Sequence, residues 1–463
     1  MTIKRRPFSA ALLLLAAGAL FLFSCSDEEF LTPDVTPVSQ RPSSGTQGRA
    51  ALGKARKVLL LYSAAFNSID WYLDGDLEEL SRSEYLPGNR ESENVLLIFS
   101  KTTNRSGDYK TLTEGVLYRL YKRYDGKVAR DTVMRVSPYT PAASASTMRS
   151  VLSFVKENYP SDSYGMIFSS HASGWLPSRY YMNPGNYESR SSGALKSAAS
   201  GPLEWPFDPA TPTRSIGQDL FGKGMTTLDG SLLTTDTYHE ITLDEFVSAI
   251  PMHLDYLLFD ACLMMCIETC HALREKVDIL AGSPAETPAS GFDYTGILRH
   301  LFRDGAPDLA GACQECFDSY DAKSGIDRSC ILSVVDLTRM DALASVCREI
   351  FTTYRSDIMK VRPSDIQPYF RFNRNYFYDF KDILDHCQLP SDLTSRLESA
   401  VSDFVVYKAA TPSFLGSFKV TAFSGVSMFL PSIKVYYSSK NYTYLFDYYK
   451  SHISWNDATL LVE

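Results

Sequence analysis

The sequence has no excess of positive charge and no basic stripe with interleaved aromatic residues, features that are typical of proteins that bind nucleic acids. Its 46 Lys and Arg residues are outnumbered by 54 Asp and Glu residues, so the formal net charge is −8. A phosphate-binding glycine-rich loop, a calcium-loop pattern and an internal repeat are also missing. We therefore expect no nucleic-acid partner, no resident metal and no cofactor.

The sequence also lacks a disulfide framework, because the seven cysteines other than Cys25 and Cys262 are odd in number and irregularly spaced. Cys313 and Cys316, with His300 nearby, have a superficially zinc-like spacing. The same two cysteines belong to one apolar stripe of helical periodicity. We therefore favour core packing over a zinc site.

The apolar run at residues 10–23 is too short to span a bilayer comfortably, and it follows the positively charged residues 4–6. It ends in Leu22-Phe23-Ser24-Cys25, which resembles a bacterial lipobox. That resemblance implies cleavage before Cys25 and acylation of the new amino terminus. An ordinary secretory signal followed by an unrelated cysteine is the alternative.

An acylated Cys25 would attach the mature chain to a membrane through lipid alone. The acidic residues 26–29 that follow resemble the surface-export signals of some Gram-negative lipoproteins. We expect a lipid-anchored protein at the bacterial outer membrane or cell surface, with the periplasmic side as the alternative. Residues 1–24 are then the signal peptide and residues 25–55 a flexible tether rich in small and polar residues.

Short apolar runs alternate with amphipathic segments over much of the remaining chain. Residues 57–62, 94–99, 166–168 and 256–259 are typical of strands buried on both faces of a sheet, and residues 146–159 are typical of an amphipathic helix. This alternation predicts an α/β fold with a mostly parallel sheet between helices. Residues 180–216 form a Gly/Ser/Pro/Asn-rich stretch longer than an ordinary connection.

Two chemically capable residues follow such strands. Cys262 lies between an apolar run and a segment with helical spacing, and a helix N-terminus favours the thiolate form of cysteine. His171 follows the strand at residues 166–168. Because the carboxyl ends of parallel strands meet at one edge of a sheet, the two side chains can face one cleft. Taken singly, each is more often a structural residue.

The segments around these residues carry a family resemblance. YPSDSYGMIFSSHASGW resembles the catalytic-histidine block, and LDYLLFDACLMMCIE the nucleophile block, of clostripain-like cysteine peptidases (family C11, clan CD). The likeness extends in the family's order over nearly all of residues 57–458. It implies a caspase-like α/β/α core at residues 56–328, with residues 180–216 as a long loop, and a C-terminal α/β extension at residues 329–463.

The resemblance also implies roles for individual residues in an endopeptidase acting on proteins or peptides. Cys262 would be the nucleophile and His171 the general acid and base. The backbone N–H groups of Cys262 and Ala172 would form the oxyanion hole, although relatives usually have glycine in place of Ala172. The S1 pocket, which receives the substrate side chain before the cleaved bond, would contain Asp260 and Ser290.

Clostripain relatives cleave after Arg or Lys, and Asp260 matches one of the two acids of their S1 pocket. Ser290 stands where the second acid is expected, and the loss of one carboxylate would weaken binding of a basic side chain by about tenfold to a hundredfold. Glu286 and Asp293 are candidates for replacing it. Basic specificity and a pocket for another side chain both stay open.

Relatives often cleave themselves between the histidine and cysteine blocks, where this chain offers Arg179, Arg190, Lys196 and Arg214. Self-cleavage and a plain surface insertion are equal alternatives for this loop. A need for Ca²⁺ is implied by the resemblance only, and we expect a monomer. Two other functions stay open: a non-catalytic surface lipoprotein that uses the fold as a binding module, and a Cys/His acyl-transfer enzyme acting on non-protein substrates.

Overall fold

The computed structural model describes residues 35–37, 54–88, 93–102, 111–178, 180, 215–221, 225, 233, 237–371, 375–437 and 442–463. A mixed ten-stranded sheet runs through them in the spatial order β1-β5-β4-β3-β2-β6-β9-β10-β11-β13. Its strands are β1 Val35–Pro37, β2 Lys57–Ala65, β3 Asn94–Thr102, β4 Gly115–Lys122, β5 Val128–Val136, β6 Tyr164–Ser169, β9 Leu254–Asp260, β10 Val277–Gly282, β11 Ile331–Asp336 and β13 Val405–Ala410.

Three small antiparallel pairs accompany this sheet. They are β7 Ile216–Phe221 with β8 Thr237–Ile241, β12 Tyr378–Asp379 with β16 Ser427–Met428, and β14 Ser413–Phe414 with β15 Phe418–Lys419. The α-helices among the described residues are α1 Asp70–Arg82, α2 Ala145–Asn158, Leu243–Ala249, Ile267–Leu273, Ile297–Leu301, Leu309–Asp321, Met340–Thr353, Arg355–Ile358, Phe380–Asp385, Ser391–Phe404, Ile433–Tyr436, Thr443–His452 and Ser454–Thr459. Among these described helices, none is long and apolar enough to cross a membrane.

The central strands β3, β2, β6, β9 and β10 are mutually parallel, and the strands beyond them on both sides are antiparallel. Successive residues of a strand point to opposite faces. The alternation divides the core into two apolar clusters, one containing Leu60, Tyr62, Phe168 and Phe259, the other Leu59, Leu61, Ile167 and Leu258. The α/β fold with a mostly parallel central sheet between helices is therefore confirmed.

Helices cover both faces of the sheet. The first cluster includes residues of α2, Leu243–Ala249, Ile267–Leu273 and most helices after residue 340, and the second includes residues of α1, Ile297–Leu301 and Leu309–Asp321. Cys313 and Cys316 belong to the second cluster, as the apolar stripe predicts. Strands β11 and β13, from the segment predicted as a C-terminal extension, continue the same sheet.

Some elements differ from the predictions. The apolar segment at residues 425–430 forms only the short strand Ser427–Met428, which lies outside the main sheet. The helix expected directly after Cys262 begins only at Ile267. Helix Ser391–Phe404 and strands β7, β8 and β13 are among the elements that the sequence analysis did not predict.

Gly165 in β6 fits against the aromatic ring of Tyr256 in β9. A Cβ atom at this position would lie 2.0 Å from Cζ of Tyr256, which is buried. We expect Gly165→Ala to lower the free energy of unfolding by about 1–3 kcal/mol, because the packed ring has to move. Urea denaturation followed by circular dichroism measures this loss.

Gly75 provides the matched control for Gly165. It lies in α1, and a Cβ atom there would meet no heavy atom within 4 Å. Gly75→Ala is expected to raise stability by about 0.5–1 kcal/mol, since alanine loses less conformational freedom than glycine in a helix. Equal effects of the two substitutions would contradict the packing described for Gly165.

Candidate active site

His171 and Cys262 follow two neighbouring strands at matching positions. Strands β6 and β9 are parallel, and Ser169 at the end of β6 pairs with Asp260 at the end of β9. Each of the two candidate residues lies two positions beyond its strand end. Hence the sheet brings a histidine and a cysteine from distant parts of the chain to the same edge.

The backbone segments that follow His171 and Cys262 are also in close contact. Gly174 has a φ of +59°, and a Cβ atom on it would lie 2.7 Å from the carbonyl oxygen of Leu263. A side chain at this position would therefore collide with the backbone that follows Cys262. Glycine is required in the histidine block because the cysteine block packs directly against it.

One cavity of about 760 Å³ is lined by both His171 and Cys262. Asp260 and Ser290, the residues predicted for the S1 pocket, line the same cavity. The structure therefore brings four of the predicted site residues to one concave surface. Cavities with a few convergent polar groups are where ligands are usually bound.

His171 is positioned by a residue that the sequence analysis missed. Its Nε2 atom lies 3.0 Å from Oγ of Ser68. Ser68 follows the end of β2, the strand next to β6, so it comes from the same edge of the sheet. Its position just past a buried strand was the signal that could have identified it.

The cysteine is not at a helix N-terminus, and that prediction was wrong. After Cys262 the chain makes a turn in which Leu263 has a φ of +64° and donates its N–H to the carbonyl of Ala285 at 2.7 Å. Helix Ile267–Leu273 begins only afterwards. No helix therefore begins at Cys262, so no helix N-terminus favours its thiolate form.

The surroundings of Cys262 favour the thiol instead. Burial raises the pKa of Cys262 to about 12, and the negative charge of Glu286 adds to this effect. The N–H of Thr287 donates to Sγ at 3.3 Å, which acts in the opposite direction, and the thiol is 3.9 Å from the carbonyl oxygen of Thr287. The pKa of the Cys262 thiol therefore lies well above neutral pH in these surroundings.

The two carboxylates proposed to replace the missing S1 acid already have partners in the protein. Glu286 accepts from Nε of Arg371 with both oxygens, at 3.1 and 2.8 Å. Asp293 is exposed and accepts from the backbone N–H of Thr295 at 2.9 Å. Neither contributes an uncompensated negative charge to the cavity, so this expectation is not supported.

Asp260 is almost completely buried at the cavity wall. The hydroxyl of Tyr294 donates to its Oδ2 atom at 2.9 Å. Because the following helix starts at Ile267, Asp260 does not cap that helix. Ser290 contacts the hydroxyl group of another tyrosine, since its Oγ atom is 2.7 Å from the phenolic oxygen of Tyr320.

The backbone N–H groups of Ala172 and Cys262 have no acceptor in the part of the chain that the structure describes. Ala172 has a negative φ, so glycine is not required at this position. Ala172 is completely buried and, unlike Cys262, is not among the residues that line the cavity. Two unengaged amides thus lie near the cysteine and histidine blocks.

Among the other residues in the described part of the chain, Trp175 and His300 do not line this cavity. Trp175 is completely buried, with its ring centroid 5.1 Å from that of Phe429. His300 bonds Glu315 at 2.7 Å, and the described residues contain no group of three or more His, Cys, Asp or Glu residues suited to a metal ion. Cys25 and the candidate processing residues Arg179, Arg190, Lys196 and Arg214 lie outside the described residues.

A comparison with protein families gives one match, to the model described as the clostripain family (peptidase C11), over residues 61–187 and 233–460. These ranges include His171 and Cys262. No curated protein sequence matches the chain.

Two solved structures resemble the whole fold. An inactive zymogen C11 protease from Parabacteroides distasonis is 23% identical, with a TM-score of 0.66 over 88% of this chain and 98% of that protein. A secreted C11 cysteine protease from Bacteroides thetaiotaomicron, in complex with an irreversible peptide inhibitor, is also 23% identical, with a TM-score of 0.63 over 88% and 99%. At this identity the likeness establishes the shared fold.

Proposed function

The chain belongs to the clostripain family of cysteine peptidases, and from this premise we propose that it cleaves peptide bonds with Cys262 as nucleophile and His171 as general acid and base. The observation that carries the proposal is the matched placement of these side chains beyond adjoining parallel strands, facing one cavity. A peptide in complex with the Bacteroides relative supports the same class of substrate for this chain.

The proposed reaction begins from a protonated cysteine. Because burial raises the pKa of Cys262 to about 12, attack on the scissile carbonyl requires the imidazole of His171 to take the thiol proton. A carbon–sulfur bond forms, and the developing oxyanion accepts from the backbone N–H groups of Cys262 and Ala172. The carbon–nitrogen bond then breaks as the imidazolium protonates the leaving amine, and water hydrolyses the thioester.

Ser68 is proposed as a positioning residue in this reaction. Its hydroxyl holds Nε2 of His171 at 3.0 Å and so restricts the orientation of the ring. A fixed imidazole reduces the entropy lost on reaching the transition state. Ser68 touches neither substrate nor the cysteine in this role.

For specificity, we propose a basic P1 residue, Arg or Lys. The support is the buried carboxyl group of Asp260 at the cavity wall, two residues before the nucleophile. Ser290 contributes a hydroxyl in the same cavity. We also propose export and lipid attachment at Cys25, for which the support is the lipobox-like sequence alone.

A fluorogenic peptide panel that varies only in the P1 residue tests the proposed function. Wild-type protein is expected to cleave peptides with P1 Arg or Lys about tenfold or more faster than those with neutral P1 residues, because a charge-assisted contact is lost in the neutral ones. Cys262→Ala should cleave none of them. Tight binding of peptides without turnover by the wild type would instead identify a non-catalytic binding module.

A further inference from the structure

We propose that Asp76 is a specificity-determining residue and the second carboxylate of the S1 pocket. Together with Asp260 it receives the cationic end of a P1 side chain. Ser290, which stands where the second acid is expected, supplies only a hydroxyl group. This inference rests on the proposed function, since it assigns a residue to the same substrate site. None of the sequence motifs described above includes Asp76.

Asp76 is a carboxylate on the apolar face of its helix. In α1 the buried residues are Leu73, Asp76, Leu77 and Leu80, so Asp76 points in the same direction as the leucines that pack on the sheet. Only 6% of Asp76 is exposed. A carboxylate in such a place is costly unless a partner compensates its charge.

The described residues provide no such partner. Within the part of the chain that the structure describes, no hydrogen bond or ion pair involves the side chain of Asp76. Asp260, by comparison, accepts from Tyr294. Asp76 lines the cavity that also contains Asp260, Ser290 and Cys262. A buried acid without a partner that borders a ligand cavity is explained if the ligand brings the missing partner.

The charges around Asp76 favour a cation as that partner. Burial and the neighbouring carboxyl groups of Asp260 and Glu79 raise the pKa of Asp76 far above its usual range, and burial raises the pKa of Asp260 as well. Tyr294 is a further titratable group close to both Asp76 and Asp260. Lys323 lines the cavity but is exposed, with its ammonium 3.8 Å from the ring centroid of Tyr320.

A guanidinium that enters this pocket would lower the pKa of Asp76, which burial and the neighbouring carboxyl groups raise. A positive charge beside the carboxyl favours its ionised form, so binding of the cation should release a proton from Asp76 to solvent. At higher pH that proton is already lost in a larger fraction of molecules. Preference for a cationic P1 residue should therefore increase with pH.

The test compares two peptides that differ only at P1, one with arginine and one with citrulline, its neutral isostere. In Asp76→Asn we expect kcat/KM for the arginine peptide to fall by about 10- to 100-fold, mostly through KM, because one charge-assisted contact is lost. The value for the citrulline peptide should stay close to that of the wild type. Asp74→Asn, on the same helix but outside the cavity lining, is the matched control and should change neither value.

The pH dependence gives a second readout, which a purely structural role of Asp76 would not change. The ratio of the two kcat/KM values cancels the titration of Cys262 and His171, which act on both peptides. In the wild type this ratio should rise from about pH 6 to about pH 9, and in Asp76→Asn the upper part of the rise should disappear. An arginine preference that is unchanged in size and in pH dependence by Asp76→Asn would overturn the inference.

Equilibrium binding separates this inference from the proposed function. Cys262→Ala and the double variant Cys262→Ala/Asp76→Asn are titrated with the arginine peptide by calorimetry in buffers of different ionisation enthalpy. We expect about 10- to 100-fold weaker binding and loss of the proton release in the double variant. Equal affinities would overturn the role of Asp76, whereas Asp76-dependent binding by a wild type that cleaves nothing would overturn only the proposed function.

Discussion

Replacement of His171 with alanine is expected to lower kcat/KM by about 10²- to 10⁴-fold for every peptide that the wild type cleaves. Two steps need the imidazole. It takes the proton of a thiol whose pKa burial raises to about 12, and it protonates the leaving amine. Initial rates with the arginine peptide, measured from about pH 5 to pH 10, give both the size of the loss and the change in the pH profile.

Ser68→Ala is the companion variant for this prediction. It keeps the imidazole but removes the hydroxyl that holds Nε2 at 3.0 Å. We expect a fall in kcat of about three- to tenfold, with KM nearly unchanged, because a less restricted ring is less often in its productive orientation. If His171→Ala keeps more than a tenth of wild-type activity while Cys262→Ala keeps none, His171 is not the general acid and base.

The parts of the fold that the sequence predicts are those in which local pattern and burial agree. Strands β2, β3, β6 and β9 are continuous apolar runs, and both faces of each are covered by helices. Strand β7 was not predicted because its sequence IGQDLF contains polar residues, which are usually exposed. In the structure Asp219 of this strand is completely buried and accepts from the N–H of Ala143 at 3.0 Å.

The course of the chain after Cys262 shows a different reason for failure. Leu263 and Ile267 have helical spacing, yet the N–H groups of Leu263 and Met265 bond to carbonyl groups of Ala285 and Ser283. These partners lie beyond the end of β10, about twenty residues further along the chain. Tertiary hydrogen bonds thus outweigh a local helical pattern. The periodicity of the sequence cannot reveal these hydrogen bonds.

For the site itself, the sequence predicted residues at or beyond two strand ends, but it missed Ser68 beyond a third strand and Asp76 on a helix. His171 and Cys262 were predicted because the strand ends of a parallel sheet share one edge, whereas Asp260 was predicted from the family resemblance. Asp76 was missed because a single acid in an amphipathic helix is usually read as solvent-facing. Its spacing from Leu73 and Leu80 placed it on the buried face, so the signal was present in the helical period.

Arg371→Ala is expected to lower both stability and the reactivity of the nucleophile. Arg371 pairs with Glu286, whose side chain is only 11% exposed and whose charge raises the pKa of Cys262. Removing the arginine leaves a mostly buried carboxylate without this ion-pair partner. We expect a loss of about 2 kcal/mol in the free energy of unfolding, less than for a fully buried pair because Arg371 is partly exposed.

The reactivity of the Cys262 thiol reports the change in its pKa without any substrate. Alkylation of Cys262 by iodoacetamide depends on the thiolate fraction, so its rate as a function of pH reports the pKa of the cysteine. Arg371→Ala should slow this reaction at neutral pH, and Glu286→Gln should accelerate it, since removing the negative charge lowers the pKa of Cys262. The Cys262→Ala variant corrects for the other cysteines.

The double variant Glu286→Gln/Arg371→Ala decides whether the effect is electrostatic. If the arginine acts by compensating Glu286, the double variant should recover most of the stability and alkylation rate lost in Arg371→Ala, giving a coupling energy of about 1–3 kcal/mol in the cycle. Additive effects of the two substitutions would mean that Arg371 contributes packing alone. The ion pair would then have no part in setting the protonation of the nucleophile, and the carboxyl of Glu286 would act on Cys262 independently of it.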